Sequence, residues 1–185
     1  MIGRSDTAEA RGFALFETAV GLCGVAWDTR GLVGVQLPAA TRSAASARLA
    51  SLRPGLQERR PPYPPAVDHA IGEIRALLGG GRTTLTDIVL DLDGLSTFDR
   101  RVYDVTRAIR PGETLTYGDV ALRLGDPGLS RAVGQALGRN PFPIVVPCHR
   151  VVAAAGELGG FSAPGGTTTK RQLLAIEAAQ STLPW

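Results

Sequence analysis

The sequence is poor in the side chains that hold metals and cross-links. Its 185 residues include two cysteines, Cys23 and Cys148, and two histidines, His69 and His149. Two cysteines cannot build a disulfide framework, so a reduced, cytoplasmic setting is expected. A tetrahedral zinc site would consume all four of these residues, and no metal is expected. No run approaches the roughly 20 apolar residues that span a bilayer, so no membrane partner is expected. Met1 to Glu17 carries Arg4, Asp6, Glu9 and Arg11 without an apolar core, which argues against a secretory signal. There is neither a Walker loop nor a dinucleotide fingerprint. Gly79-Gly80-Gly81 lacks a following Lys-Ser/Thr and reads as a helix stop, so no cofactor is expected. Lysine is nearly absent as well: of 20 basic residues only Lys170 is lysine.

What is present fits a folded chain. A hydrophobic content of 44% and a mean hydropathy of +0.06 exclude a wholly disordered protein. The length leaves room for one large domain or two small ones. The formal charge of +3 is unevenly spread: residues 1–97 hold ten basic and ten acidic side chains, residues 98–185 ten basic and seven acidic. An arginine-rich second half suits phosphate binding. It also suits a compositional habit in a chain rich in Ala, Gly and Pro, and the charge alone does not decide.

Gly12 to Leu37 reads as strands, with Asp28-Thr29-Arg30-Gly31 as a hairpin turn. Thr41 to Leu52 suits a helix, and Arg59-Arg60-Pro61-Pro62-Tyr63-Pro64-Pro65 a loop. Val67, Ala70, Ile71, Ile74, Leu77 and Leu78 fall at helical spacing, and Ile88-Val89-Leu90-Asp91-Leu92 reads as a last strand. A boundary near Asp93 to Ser96 divides the chain into an α/β domain over 1–95 and a mostly helical domain over 96–185. In the latter, Ser96 and Asp99 open a helix through Ile109, which Pro111-Gly112 stops. Thr116-Tyr117-Gly118-Asp119 opens another, with Gly125 just past its end. Asp126-Pro127 then starts a helix from Gly128 to about Leu137. Two short helices about a tight turn form a helix-turn-helix, whose second helix docks on DNA. The same geometry occurs as plain packing in helical cores. Arg131 and Arg139, with Asn140 beyond them, favour the DNA reading.

The chemistry concentrates in Asn140-Pro141-Phe142-Pro143-Ile144-Val145-Val146-Pro147-Cys148-His149-Arg150-Val151-Val152. Three prolines fix the backbone that carries Cys148. His149 and Arg150 beside it are of the kind that lower a thiol pKa from about 8.5, and the thiolate is the nucleophile. Against this stands a small buried cysteine with an incidental histidine, and adjacency does not show the imidazole facing the sulfur.

The run Pro147-Cys148-His149-Arg150-Val151-Val152, preceded by Asn140-Pro141 and Arg131-Ala132-Val133-Gly134, closely resembles the methylated-DNA–protein-cysteine methyltransferases. The resemblance covers about Thr97 to Glu177, with weaker support before it. It implies a small α/β domain followed by a mostly α-helical domain with a helix-turn-helix, winged-helix-like, acting as a monomer on alkylated double-stranded DNA. It further implies that Cys148 accepts an alkyl group irreversibly from the exocyclic oxygen of a flipped guanine. His149 would be a base acting through a water, and Glu177 would orient it. Asn140 would brace the turn, and Tyr117 would hydrogen-bond the base. Arg131 would enter the duplex, while Ala132, Gly134, Arg139 and Arg150 would lie along the DNA. The carbonyls of Cys148 and Val151 and the loop at Phe161-Ser162 would meet the base.

The sequence departs from the family pattern in two places. The loop from Gly159 to Gly166 is longer around Ala163-Pro164, and Phe161 stands where tyrosine is frequent. Both bear on the shape of the pocket and the alkyl size it tolerates. The first half lacks the Cys/His set that holds zinc in some members. Three rival functions remain: a lesion binder, a cysteine-sensing regulator and a cysteine hydrolase. Relatives that bind without repair replace the cysteine, so Cys148 argues against the first. No spare regulatory domain supports the second, and no oxyanion hole or separated histidine is legible for the third.

Overall fold

The computed structural model describes residues 11–154 and 157–181. Strands β1 (Gly12–Thr18), β2 (Gly21–Asp28) and β3 (Gly31–Gln36) form an antiparallel sheet in sequence order. Alternation along the strands gives the sheet two apolar faces. Phe13, Ala26 and Val33 cluster with Leu49 of helix α1 (Arg42–Ser51), which Thr41 caps by accepting from the amide of Ala44. Val25, Trp27 and Val35 face the other way, toward Val67, Ile71 and Ile74 of helix α2 (Pro65–Leu78), where Pro65 supplies a ready-made first turn. The sheet therefore lies between two helices.

The second half is helical. In α3 (Thr97–Arg107), Ser96 accepts from the Asp99 amide, and Val102, Tyr103 and Thr106 are buried. A reciprocal capping box between Thr116 and Asp119 starts α4 (Tyr117–Arg123). Gly125, at φ 100°, turns the chain, and Asp126 caps a 3₁₀ turn over Pro127–Leu129. Helix α5 (Ser130–Gly138) follows and is fastened to α3 by the Tyr103 hydroxyl, which donates to the carbonyl of Ala136 at 3.1 Å. Strands β4 (Leu115–Thr116) and β5 (Val151–Val152) pair in parallel, and α6 (Gly166–Ser181) closes the described chain. This is the expected α/β unit followed by a helical one with a helix-turn-helix.

Three element expectations need correction. Ile88 to Leu92 is no strand: only Leu90 bridges to Leu32, because Val89 points outward and the Asp91 carboxylate turns to Arg30 and Arg53. The helix of α5 starts at Ser130 rather than Gly128, since the Asp126-Pro127 cap winds the first turn as 3₁₀. Helix α3 ends at Arg107, two residues before Ile109.

The halves are joined by directed hydrogen bonds. The amide of Val35 donates to the carbonyl of Pro141 at 2.8 Å, so the edge of β3 holds the loop that leads to Cys148. Arg107 donates to the carbonyls of Leu85, Thr86 and Ile88 at 3.2, 3.0 and 2.9 Å. The β2–β3 turn is similarly tight. Gly31 sits at φ 143°, and a Cβ there would lie 2.6 Å from the carbonyl oxygen of Val89. Gly31→Ala should therefore cost about 1–3 kcal/mol in a urea denaturation, from backbone strain plus displacement of the 88–92 segment. An unchanged midpoint would show that this contact relaxes freely.

Candidate active site

The segment from Asn140 to Pro147 is a strained loop with internal braces. Ile144, a buried β-branched residue, sits at φ 77°, where such side chains are rarely found. Asn140 offsets that strain from inside the loop. Its carbonyl oxygen accepts from the Phe142 amide, and its amide nitrogen donates to the carbonyl of Val146, both at 2.9 Å. The Val146 amide donates to the carbonyl of Phe142, and the Cys148 amide to that of Val146. Cys148, His149 and Arg150 follow as one buried 3₁₀ turn.

Behind that turn lies Glu177, 2% exposed, with its two oxygens shared among several donors. His149 Nε2 is 2.9 Å from Oε1. Arg150 donates through Nε to Oε2 at 2.9 Å and through Nη2 to Oε1 at 2.8 Å, and through Nη1 to the carbonyl of Ile109 at 2.6 Å. Burial opposes the carboxylate charge, but the hydrogen bonds from His149 and Arg150 prevail and hold its pKa at about 2. An ionised carboxylate only accepts, so His149 carries its proton on Nε2. Nδ1 is left as a basic lone pair, and it is buried without a hydrogen-bond partner among the described residues. Burial also lowers the His149 pKa, which keeps the ring neutral.

Burial pushes the Cys148 thiol up, against hydrogen bonding from Asn140 and the charge of Lys170. This reverses the expectation drawn from its sequence neighbours. Cys148 borders a cavity of about 350 Å³ lined also by Tyr117, Gly134, Leu137, Gly138, Gly160, Phe161 and Ser162, a size suited to a small planar ligand. The α5 helix of the helix-turn-helix thus forms one wall of the pocket that ends on the cysteine.

Residues 97–179 match the family model described as 6-O-methylguanine DNA methyltransferase, DNA binding domain. Over 118 residues the chain is 47% identical to the methylated-DNA–protein-cysteine methyltransferase of Mycolicibacterium paratuberculosis, covering 64% of this chain and 69% of that one. The crystal structure of Mycobacterium tuberculosis OGT in complex with DNA superposes with a TM-score of 0.73 at 32% identity, covering 91% of this chain and 94% of that one. The O6-methylguanine-DNA methyltransferase of Pyrococcus kodakaraensis gives 0.71 at 29% identity, covering 89% and 98%. The chain belongs to the methylated-DNA–protein-cysteine methyltransferases.

For a methyltransferase of this family, the other expected site residues fall into three groups. Tyr117, Gly134, Phe161 and Ser162 line the pocket with Cys148. Burial raises the Tyr117 pKa, so its hydroxyl stays a donor. Arg131 is exposed on α5, with Ala132 half-buried beside it, while Arg139 is held at 2.9 Å by Asp99. Arg150 is the correction. Expected along the DNA, it is 1% exposed and committed to Glu177 and Ile109. The pull of a buried carboxylate draws it inward, two residues past Cys148 on a turn of three residues.

One residue escaped the sequence reading. Lys170 is wholly buried, donates to the carbonyl of Val151 at 2.6 Å and to that of Gly160 at 3.4 Å, and lies 6.0 Å from the Tyr117 ring centre. It occupies one lone pair of the Val151 carbonyl that was assigned to the base. Its being the only lysine among so many arginines was the available signal.

Arg150→Met should cost about 3–5 kcal/mol in a denaturant melt, because it leaves the Glu177 charge buried with one partner fewer. The salt slope of DNA binding should stay the same, whereas removal of a phosphate contact lowers it by about one. Glu177 also sets an acid limb. Its folded pKa lies below the ordinary 4.5, so its stabilisation is complete above about pH 4.5 and is lost as pH falls toward 2. A Glu177→Gln melt series across that window should lack this limb.

Proposed function

We propose that this protein repairs guanine alkylated at its exocyclic oxygen, in double-stranded DNA, by taking the alkyl group onto Cys148 once. The observation that carries this reading is the neutral His149, its Nε2 fixed on Glu177 and its Nδ1 unpartnered, immediately next to a buried cysteine at the end of a pocket under α5.

An alkyl carbon inside a stacked duplex is out of reach of a sulfur in such a pocket, so the nucleotide must be flipped out at a cost of a few kcal/mol. Arg131, exposed on α5, fills the gap it leaves. In the pocket, the Cys148 proton passes through one water to His149 Nδ1, and Glu177 stabilises the imidazolium that forms. The thiolate attacks the alkyl carbon. The S–C bond forms as the C–O bond breaks, and the electron pair moves to the guanine oxygen. Tyr117, held protonated by burial, donates toward the base as negative charge develops there. Asn140 braces the loop, and Phe161 and Ser162 enclose the base. The product is a thioether, which has no leaving group for regeneration. We assign the DNA-handling and chemical steps to residues 96–185 and a supporting role to residues 1–95. No metal or cofactor takes part, and one chain acts alone.

Incubation with a duplex containing the methylated guanine should add one methyl group per chain, by intact mass, and none to Cys148→Ala. Multiple turnovers, or an unchanged mass, would refute the assignment. Glu177→Gln should slow single-turnover transfer by about 100-fold or more while changing DNA affinity far less. An unaltered rate and pH profile would make Glu177 purely structural. Arg131→Ala should impair transfer from duplex much more than from single strand or free base. Equal losses on all three, or full rescue at low salt, would mean that Arg131 only holds the backbone.

A further inference from the structure

Cys148 borders a second cavity, larger than the base pocket. It measures about 640 Å³ and reaches from Cys148 to Gln36, Leu37 and Arg48 of the N-terminal half. Ala163 and Pro164, by which the loop departs from the family pattern, line this cavity and not the first. Its polar character is one-sided. Gln36 is 2% exposed. Its amide nitrogen donates to the carbonyl of Leu37 at 2.5 Å, which fixes the flip and leaves Oε1 as a buried acceptor without a partner among the described residues. Arg48 brings a guanidinium group, that of Arg139 is already paired with Asp99, and no carboxylate is among the described residues that line the space.

We propose that this cavity receives the chain of alkyl groups longer than methyl, and that Gln36 and Arg48 select chains ending in a hydroxyl. The proposal rests on the alkyl-transfer reading above. In-line displacement requires the guanine oxygen, the carbon and the sulfur to lie on one line. Further carbons of the alkyl group therefore leave that line sideways. The base is assigned to the first pocket, and the second is a further open space with Cys148 in its wall. The far end of that space then chooses among chain termini. A buried unpaired carbonyl favours a donor, so a purely apolar tail leaves it unsatisfied and a carboxylate repels it. The Arg48 guanidinium disfavours an ammonium. A hydroxyl donates to Gln36 Oε1 and accepts from Arg48. The reaction itself is unaltered: the S–C bond forms, the C–O bond breaks, and the hydroxyl is a spectator.

The test is a single-turnover competition among duplexes whose guanine oxygen carries methyl, terminal hydroxybutyl or n-pentyl, the last two equal in length. The wild type should transfer hydroxybutyl roughly tenfold faster than pentyl, the discrimination expected where a site pairs a substrate hydroxyl with a buried partner. Gln36→Leu should bring that ratio near one while methyl transfer stays within about twofold. Arg48→Ala, at an exposed helical position, should lower the ratio by about threefold and serves if Gln36→Leu fails to fold. A wild-type ratio near one, or a ratio that neither variant changes, overturns the proposal and leaves the alkyl-transfer reading intact. Failure to transfer methyl at all overturns both.

Discussion

A carboxylate with almost no exposed surface must be paired or neutralised, and Glu177 is paired from two sides. Arg150 fixes the charge, and the charge fixes the tautomer of His149. The two partners also restrain each other. With histidine alone, the carboxylate would favour the imidazolium strongly. Burial outweighs that pull and keeps the ring neutral, and Arg150, drawing on both carboxylate oxygens, adds to it in the same direction. The same residues tie three separate segments together: helix α6, the turn at Cys148, and the 109–112 connection, where Gly112 donates to Glu177 at 3.4 Å. A single buried charge therefore organises both the His149 ring, the proposed base, and its mounting.

The cysteine loop needs outside support because it is strained. A non-glycine residue at φ 77° costs of order 1–3 kcal/mol and persists only where neighbours over-determine it. Asn140 supplies restraint from within, and the β3 edge supplies it from without, through Val35 and Pro141. The α/β half is thus coupled to the chemistry through one strand edge. That strand continues into Gln36 and Leu37, so the element that steadies the loop also builds the wall of the second cavity.

Much of this was legible in the sequence, and the failures share a cause. Capped helix starts at Ser96 and Thr116 depend on neighbours three residues away, and they read correctly. The Ile88 to Leu92 run has strand composition, but strand formation depends on a partner edge that only Leu90 meets. Arg150 and Lys170 would by default be surface charges. Glu177 lies 27 residues beyond Arg150 and Val151 lies 19 residues before Lys170, so their burial follows from tertiary contacts that local pattern does not encode. Cys148 failed in the same way. Adjacent His149 and Arg150 pointed to a lowered thiol pKa, but His149 is held neutral and Arg150 is turned to Glu177, which leaves burial as the dominant effect.

That raised thiol pKa fits the rest of the site. A resting thiolate would be exposed to oxidation, and for a cysteine used once, as proposed, oxidation is equivalent to loss of the protein. Burial keeps the proton on sulfur, while the groups proposed to remove it are in place: a neutral imidazole with an unpartnered Nδ1, and Lys170 and Asn140 favouring the anion. In the proposed reaction the nucleophile forms as the proton moves toward His149, not before. On that proposal its reactivity is set by the alignment of an alkyl carbon in the pocket rather than by the concentration of free thiolate. Burial keeps the imidazole neutral, and in the proposed reaction the buried Glu177 stabilises the cation that results once the proton arrives.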